Sequence, residues 1–243
     1  MNEIETVLKG HKNKQMKLFP TIDEVFENPT EIYKTLFFPL LTIDLPEMEK
    51  GQGKVHFISV WGCGGAENYL IADEVNYGFE FIKFDWTGEK YLFDNKLFDE
   101  KYKETLLKWY SEMEQEYLEN KIDYLTPRTW EEAKTSNLVK RENERDKIYG
   151  DFNIYTKSLI NYWVTRDKYS ETGKLIQGSA YTHGMNDEVR RTFISLSKTK
   201  ETKLSKELIG KVCGYNYKDN CVGEISLYID RKQNKVFQKF GWD

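Results

Sequence analysis

Residues 55–93 hold three apolar, strand-like runs around one glycine-dense turn, and no other stretch of the chain constrains the fold as much. The runs are 55–61, 68–72 and 79–86, each rich in β-branched or aromatic side chains that suit a pleated, half-buried surface. Between and after them stand W-G-C-G-G at 61–65, a second glycine break ending at Gly78, and Thr87-Gly88-Glu89, which supply the positive φ angles that tight turns need. The pattern predicts an antiparallel meander, with 91–93 as a fourth short strand.

The flanking segments read mostly as helices. Residues 1–17 are polar and predicted to fray, and Thr21 with Glu24 forms a capping box at the head of a short helix. Ile32, Tyr33, Leu36 and Phe37 then recur at helical spacing until Pro39 ends the pattern. Phe98, Tyr102, Leu106, Trp109, Met113 and Tyr117 put an apolar stripe along a helix expected to pack on the sheet. Residues 119–150 are highly charged, with a second capping box at Thr129 and Glu132. They read either as a linker or as a solvated helix held through Leu138, Val139 and Ile148.

Residues 152–164 fit helix or strand, with no clear period and helix preferred, whereas 192–197 and 223–230 alternate as strands, the latter turning through 231–234 into a terminal hairpin. The expected class is therefore α+β: an antiparallel sheet flanked by helices, with a C-terminal α+β region that ends in a β-hairpin. The expected division is 1–120, a charged linker or helix at 121–150, and 151–243.

Charge and composition narrow the function. The formal charge is −4 over 243 residues, and lysine and glutamate are interspersed with no basic cluster to displace counterions, which disfavours nucleic-acid binding. The longest apolar run, 36–43, is too short to span a bilayer and contains a proline. The first residues lack the apolar core and cleavage site of a secretory signal, so the cytoplasm is the expected compartment. Three cysteines leave an odd thiol, which fits a reducing environment.

Each reactive residue has a structural explanation beside its chemical one. Cys63, in its glycine turn, could be a thiolate held by backbone N–H groups, but the sequence offers it no adjacent base; His56 lies upstream across an uninterrupted strand-like run. Cys213 and Cys221 stand seven residues apart, wider than the usual zinc pair, with His183 the nearest third ligand. Gly62, Gly64 and Gly65 precede a strand-like segment, where a phosphate loop would open a helix. An enzyme reading would be a hydrolase or transferase using His183 with Cys63 or Asp187. The preferred reading has no catalytic residue, no metal and no cofactor. Instead Asp73, Glu74, Asp85, Trp86 and Glu89 gather at the turn ends of the meander and form an outward, acidic contact surface for a basic protein partner.

Across residues 55–117 the chain resembles the SUKH superfamily of mostly bacterial immunity proteins. The matching features, in order, are Trp61-Gly62, Gly64-Gly65, the acid-ended strand 68–73, the strand ending Phe84-Asp85-Trp86, and the amphipathic helix from Phe98. The W-G-x-x-G turn followed by an aromatic strand is also similar to the YwqG-like family. The SUKH resemblance implies an α+β scaffold that binds and neutralises a cognate toxin and performs no catalysis of its own.

Overall fold

A computed structural model describes residues 3–7, 16–48, 50–60, 70–71, 75–173, 175, 193–197, 206–218 and 223–241. The class is α+β, with two antiparallel sheets and a layer of helices. The smaller sheet contains β2 (Met16–Leu18), β3 (Phe37–Asp44) and β4 (Lys54–Val60), in that order. The larger sheet contains β1 (Glu3–Val7), β8 (Phe193–Ser197), β9 (Glu207–Val212), β10 (Glu224–Asp230), β11 (Lys235–Gly241), β6 (Phe81–Trp86) and β5 (Tyr77–Gly78) in that order, and β7 (Tyr91–Leu92) also pairs with β6.

The terminal hairpin forms as expected, β10 on β11 from Glu224↔Gly241 to Asp230↔Lys235. Of the meander, the described residues show the last step, Trp86 opposite Tyr91 across β6 and β7, but not the single sheet. β4 and β6 lie in different sheets, and β6 takes β11 as its long neighbour, with Phe84 opposite Val236. Alternation shows that a segment is a strand but not which strand it meets, and a partner some 150 residues away leaves no local mark. Most of 68–72 and all of the W-G-C-G-G turn fall outside the described residues. Two other expectations also change. Residues 3–7 form a strand paired with β8, and 37–44 form one continuous strand through Pro39. The proline is tolerated because the β3–β4 register shifts between Pro39 and Leu41, a bulge where a missing N–H costs no ladder bond.

Both capping boxes form. Thr21 heads α1 (Ile22–Val25) and Thr129 heads α5 (Trp130–Lys134), each receiving the N–H of its glutamate partner. α2 (Tyr33–Leu36) is a single turn that ends where β3 begins. The stripe predicted from Phe98 becomes one 3-10 turn (Glu100–Tyr102) followed by α3 (Lys103–Glu119), because Asp99 accepts from the Lys101 N–H and caps that turn instead, as Asp94 caps another just before Phe98. Residues 121–149 carry three helices, α4 (Lys121–Leu125), α5 and α6 (Asn137–Tyr149), with Leu138 buried and Ile148 exposed.

The long helix α7 (Asn153–Thr172) organises this layer. α3 was expected to lie on a sheet, but it packs on α7: Trp109 Nε1 donates to Thr156 Oγ1 at 3.0 Å, and the Tyr117 hydroxyl donates to Asp167 at 3.0 Å. On its other side α7 meets β3, where the Tyr162 hydroxyl donates to the Pro39 carbonyl at 2.7 Å. Burial on both sides explains why its sequence lacked a clear amphipathic period. The aromatic centre of the core joins the two sheets: Phe37 of β3 meets Phe84 of β6 edge to face at 6.0 Å, and Phe84 stacks on Tyr91 at 5.0 Å.

Candidate contact surface

The exposed turn of the β6–β7 hairpin is built on residues that cannot move independently. Gly88 has φ +102°, and Thr87 closes the turn, its N–H donating to the Lys90 carbonyl at 2.9 Å and its hydroxyl accepting from Lys90 N–H at 3.0 Å. Two further bonds pin the turn to β4. The Gly88 carbonyl accepts from Lys54 N–H at 2.8 Å, and the Trp86 indole N–H donates to the Lys54 carbonyl at 2.8 Å. Trp86 was expected to face outward with the acids. It is instead 8% exposed, because its indole is occupied with β4, and the Arg231 guanidinium lies 5.8 Å from its ring centre.

The acids on this frame do face solvent. The side chains of Asp85 and Glu89 are 60% and 59% exposed. Each already has a lysine, Lys235 on Asp85 at 2.9 Å and Lys54 on Glu89 at 2.7 Å, and the Glu89 hydrogen bond holds Lys54 above its ordinary pKa. Pairs this exposed contribute about 0–1 kcal/mol, so an incoming cation could displace either lysine at small cost. Asp73 and Glu74, the other two expected contacts, lie outside the described residues, as do Cys63, His183, Asp187 and Cys221. Cys213 is half-buried at the head of the turn Gly214–Asn216.

Glu89 also borders a groove of about 370 Å³ between the hairpin, β3 and the start of α1, where Asp23, Asp44, Lys17 and Lys90 add charges of both signs. His56 lies at its floor, 1% exposed. In the sequence this histidine stands only as a distant base for Cys63, and its place opposite Thr42 shows only in the strand pairing. The Nε2 atom is 2.8 Å from the Glu89 carbonyl, which can only accept, so Nε2 carries the proton and Nδ1 accepts from the Thr42 hydroxyl at 2.9 Å. Burial pushes the imidazole pKa down to about 4, outweighing the hydrogen bond to Glu89. A neutral ring with both nitrogens engaged supports the groove wall and leaves no lone pair for proton transfer.

Among the described residues no helix is long and apolar enough to cross a membrane. No protein-family model, curated protein or solved structure matches this chain.

Proposed function

We propose that this chain works by binding another protein, as a cytoplasmic immunity protein that neutralises a cognate bacterial toxin, and that the β6–β7 turn belongs to its contact surface. The observation behind this reading is the rigid outward display of Asp85 and Glu89 beside the anchored Trp86. Preorganised charge on a fixed hairpin lowers the ordering cost of association and steers a cationic partner. The net charge of −4 acts in the same direction, and the resemblance of 55–117 to the SUKH superfamily supplies the kind of partner.

The test is co-expression with the product of the adjacent upstream gene, followed by affinity capture and a growth-protection assay. Formation of a complex and protection are expected, with Asp85→Lys and Glu89→Lys together weakening capture at least tenfold. Absence of both complex and protection removes the reading. A complex indifferent to the double charge reversal moves the contact surface elsewhere.

A further inference from the structure

A second cavity, of about 170 Å³, lies between β3 and α7, away from the β6–β7 turn. Its walls include Leu159, Tyr110, Tyr162 and Trp163, and two cations, Lys34 and Arg166, complete its lining. We propose that this cavity binds a small organic carboxylate with a ring-sized apolar body, its carboxylate held by Arg166 and Lys34.

Size and shape set the apolar half of the ligand. An apolar cavity of roughly 150 Å³ holds a benzene ring, and this one is lined by rings already fixed in place. Tyr110 and Trp163 meet edge to face at 5.5 Å, and Tyr162 is tethered through its hydroxyl to the Pro39 carbonyl at 2.7 Å. A ligand entering such a site orders little that is not ordered already.

The charges set the polar half. Arg166 gives only its Nε to Asp167, at 2.7 Å, and neither Nη group bonds to a described residue. Lys34 rests 4.9 Å from the Tyr110 ring centre, with no carboxylate partner among the described residues. Asp167 is itself shared, bonding Lys121 at 2.8 Å and the Tyr117 hydroxyl at 3.0 Å. Lys34 and Arg166 lie in the lining and no acid does among the described residues, and the paired Nη groups of an arginine match the two oxygens of a carboxylate.

This site does not depend on the protein-binding reading, and it is tested by titrating the full chain with phenylacetate and with phenylacetamide by calorimetry. Saturable binding of phenylacetate is expected in the millimolar range or tighter, with the neutral amide at least tenfold weaker. Arg166→Gln is expected to remove that difference, and Leu159→Phe, which fills the cavity, to weaken both ligands while circular dichroism stays unchanged. The proposal is overturned by an absence of saturation at about 10 mM phenylacetate, by equal binding of acid and amide to the unaltered chain, or by binding that survives the filled cavity. If Leu159→Phe does not fold, the acid–amide comparison and Arg166→Gln decide the question by themselves.

Discussion

The Tyr91 hydroxyl holds the backbone of His56 at both polar groups, accepting from its N–H at 2.6 Å and donating to its carbonyl at 2.9 Å. His56 lies on β4, the edge of the three-stranded sheet, whose outward N–H and C=O groups fall on alternate residues. Five of these groups find partners in the larger sheet: both of Lys54 through Gly88 and Trp86, both of His56 through Tyr91, and the Ile58 N–H through Gln238 Oε1 at 2.9 Å. The two sheets are therefore joined by a row of hydrogen bonds that takes the place of a missing strand. Tyr91→Phe keeps the ring stacked on Phe84 but leaves a buried donor and acceptor orphaned, with an expected loss of about 2–4 kcal/mol. Urea denaturation compares it with the unaltered chain. A loss under about 0.5 kcal/mol would show that β4 relaxes onto other partners.

Acid should weaken the fold through His56. Its folded pKa lies near 4, below the ordinary 6.5, so between these values the unfolded chain binds the proton that the folded chain refuses. The contribution is fully present above 6.5, falls as the pH drops toward 4, and amounts to about 3 kcal/mol over that interval. Melts from pH 7 to pH 4 should show a steeper decline for the unaltered chain than for His56→Gln, which has no proton to gain. Parallel declines would mean that the imidazole is solvated.

Local chemistry was readable wherever its cause is local. Thr21 and Thr129 announce their helices because a capping box is closed by residues three apart, and the 231–234 turn announces β10 and β11 because a hairpin carries its own register. Sheet membership was not readable, since the choice of β11 as neighbour to β6 is made by packing that no sequence window contains. The strand through Pro39 was misread as a helix end because Tyr33 and Leu36 do complete a helical turn, and the following bulge that accommodates proline shows only against β4. At the candidate site, the exposure of Glu89 follows from its turn position and that of Asp85 from strand alternation along β6. The anchoring of Trp86 does not, because it depends on a carbonyl of β4, thirty-two residues earlier.

Gly53 is the position where the link between the sheets admits no side chain. Its φ is +97°, and a Cβ there would stand 2.0 Å from the Gly88 carbonyl oxygen and 2.9 Å from the Trp86 ring. Gly53→Ala therefore combines backbone strain with displacement of the Lys54–Gly88 bond, and an expected loss of about 3 kcal/mol or more. Gly173 provides the control, left-handed helical at φ +69° and with open space where a Cβ would lie. Gly173→Ala should cost only about 1–2 kcal/mol of backbone strain. Equal shifts in melting temperature for the two variants would remove the close approach at Gly53 as a cause.

Lys168 on α7 carries the opposite expectation, a substitution that stabilises. It is 5% exposed, and its Nζ atom is buried without a hydrogen-bond partner. Burial first, then the charge of Arg128, pushes the pKa of its ammonium down. Methionine has similar length and needs no partner, so Lys168→Met should raise stability at pH 7 by about 1–3 kcal/mol. The sign with pH follows from the lowered pKa. Between the folded value and the ordinary 10.5 the unfolded chain holds more protons, so the unaltered protein gains stability as the pH rises through that interval. The advantage of Lys168→Met should narrow accordingly from pH 7 to pH 10, as read from urea midpoints. A variant less stable than the unaltered chain at every pH would show that the ammonium has an acceptor in solution.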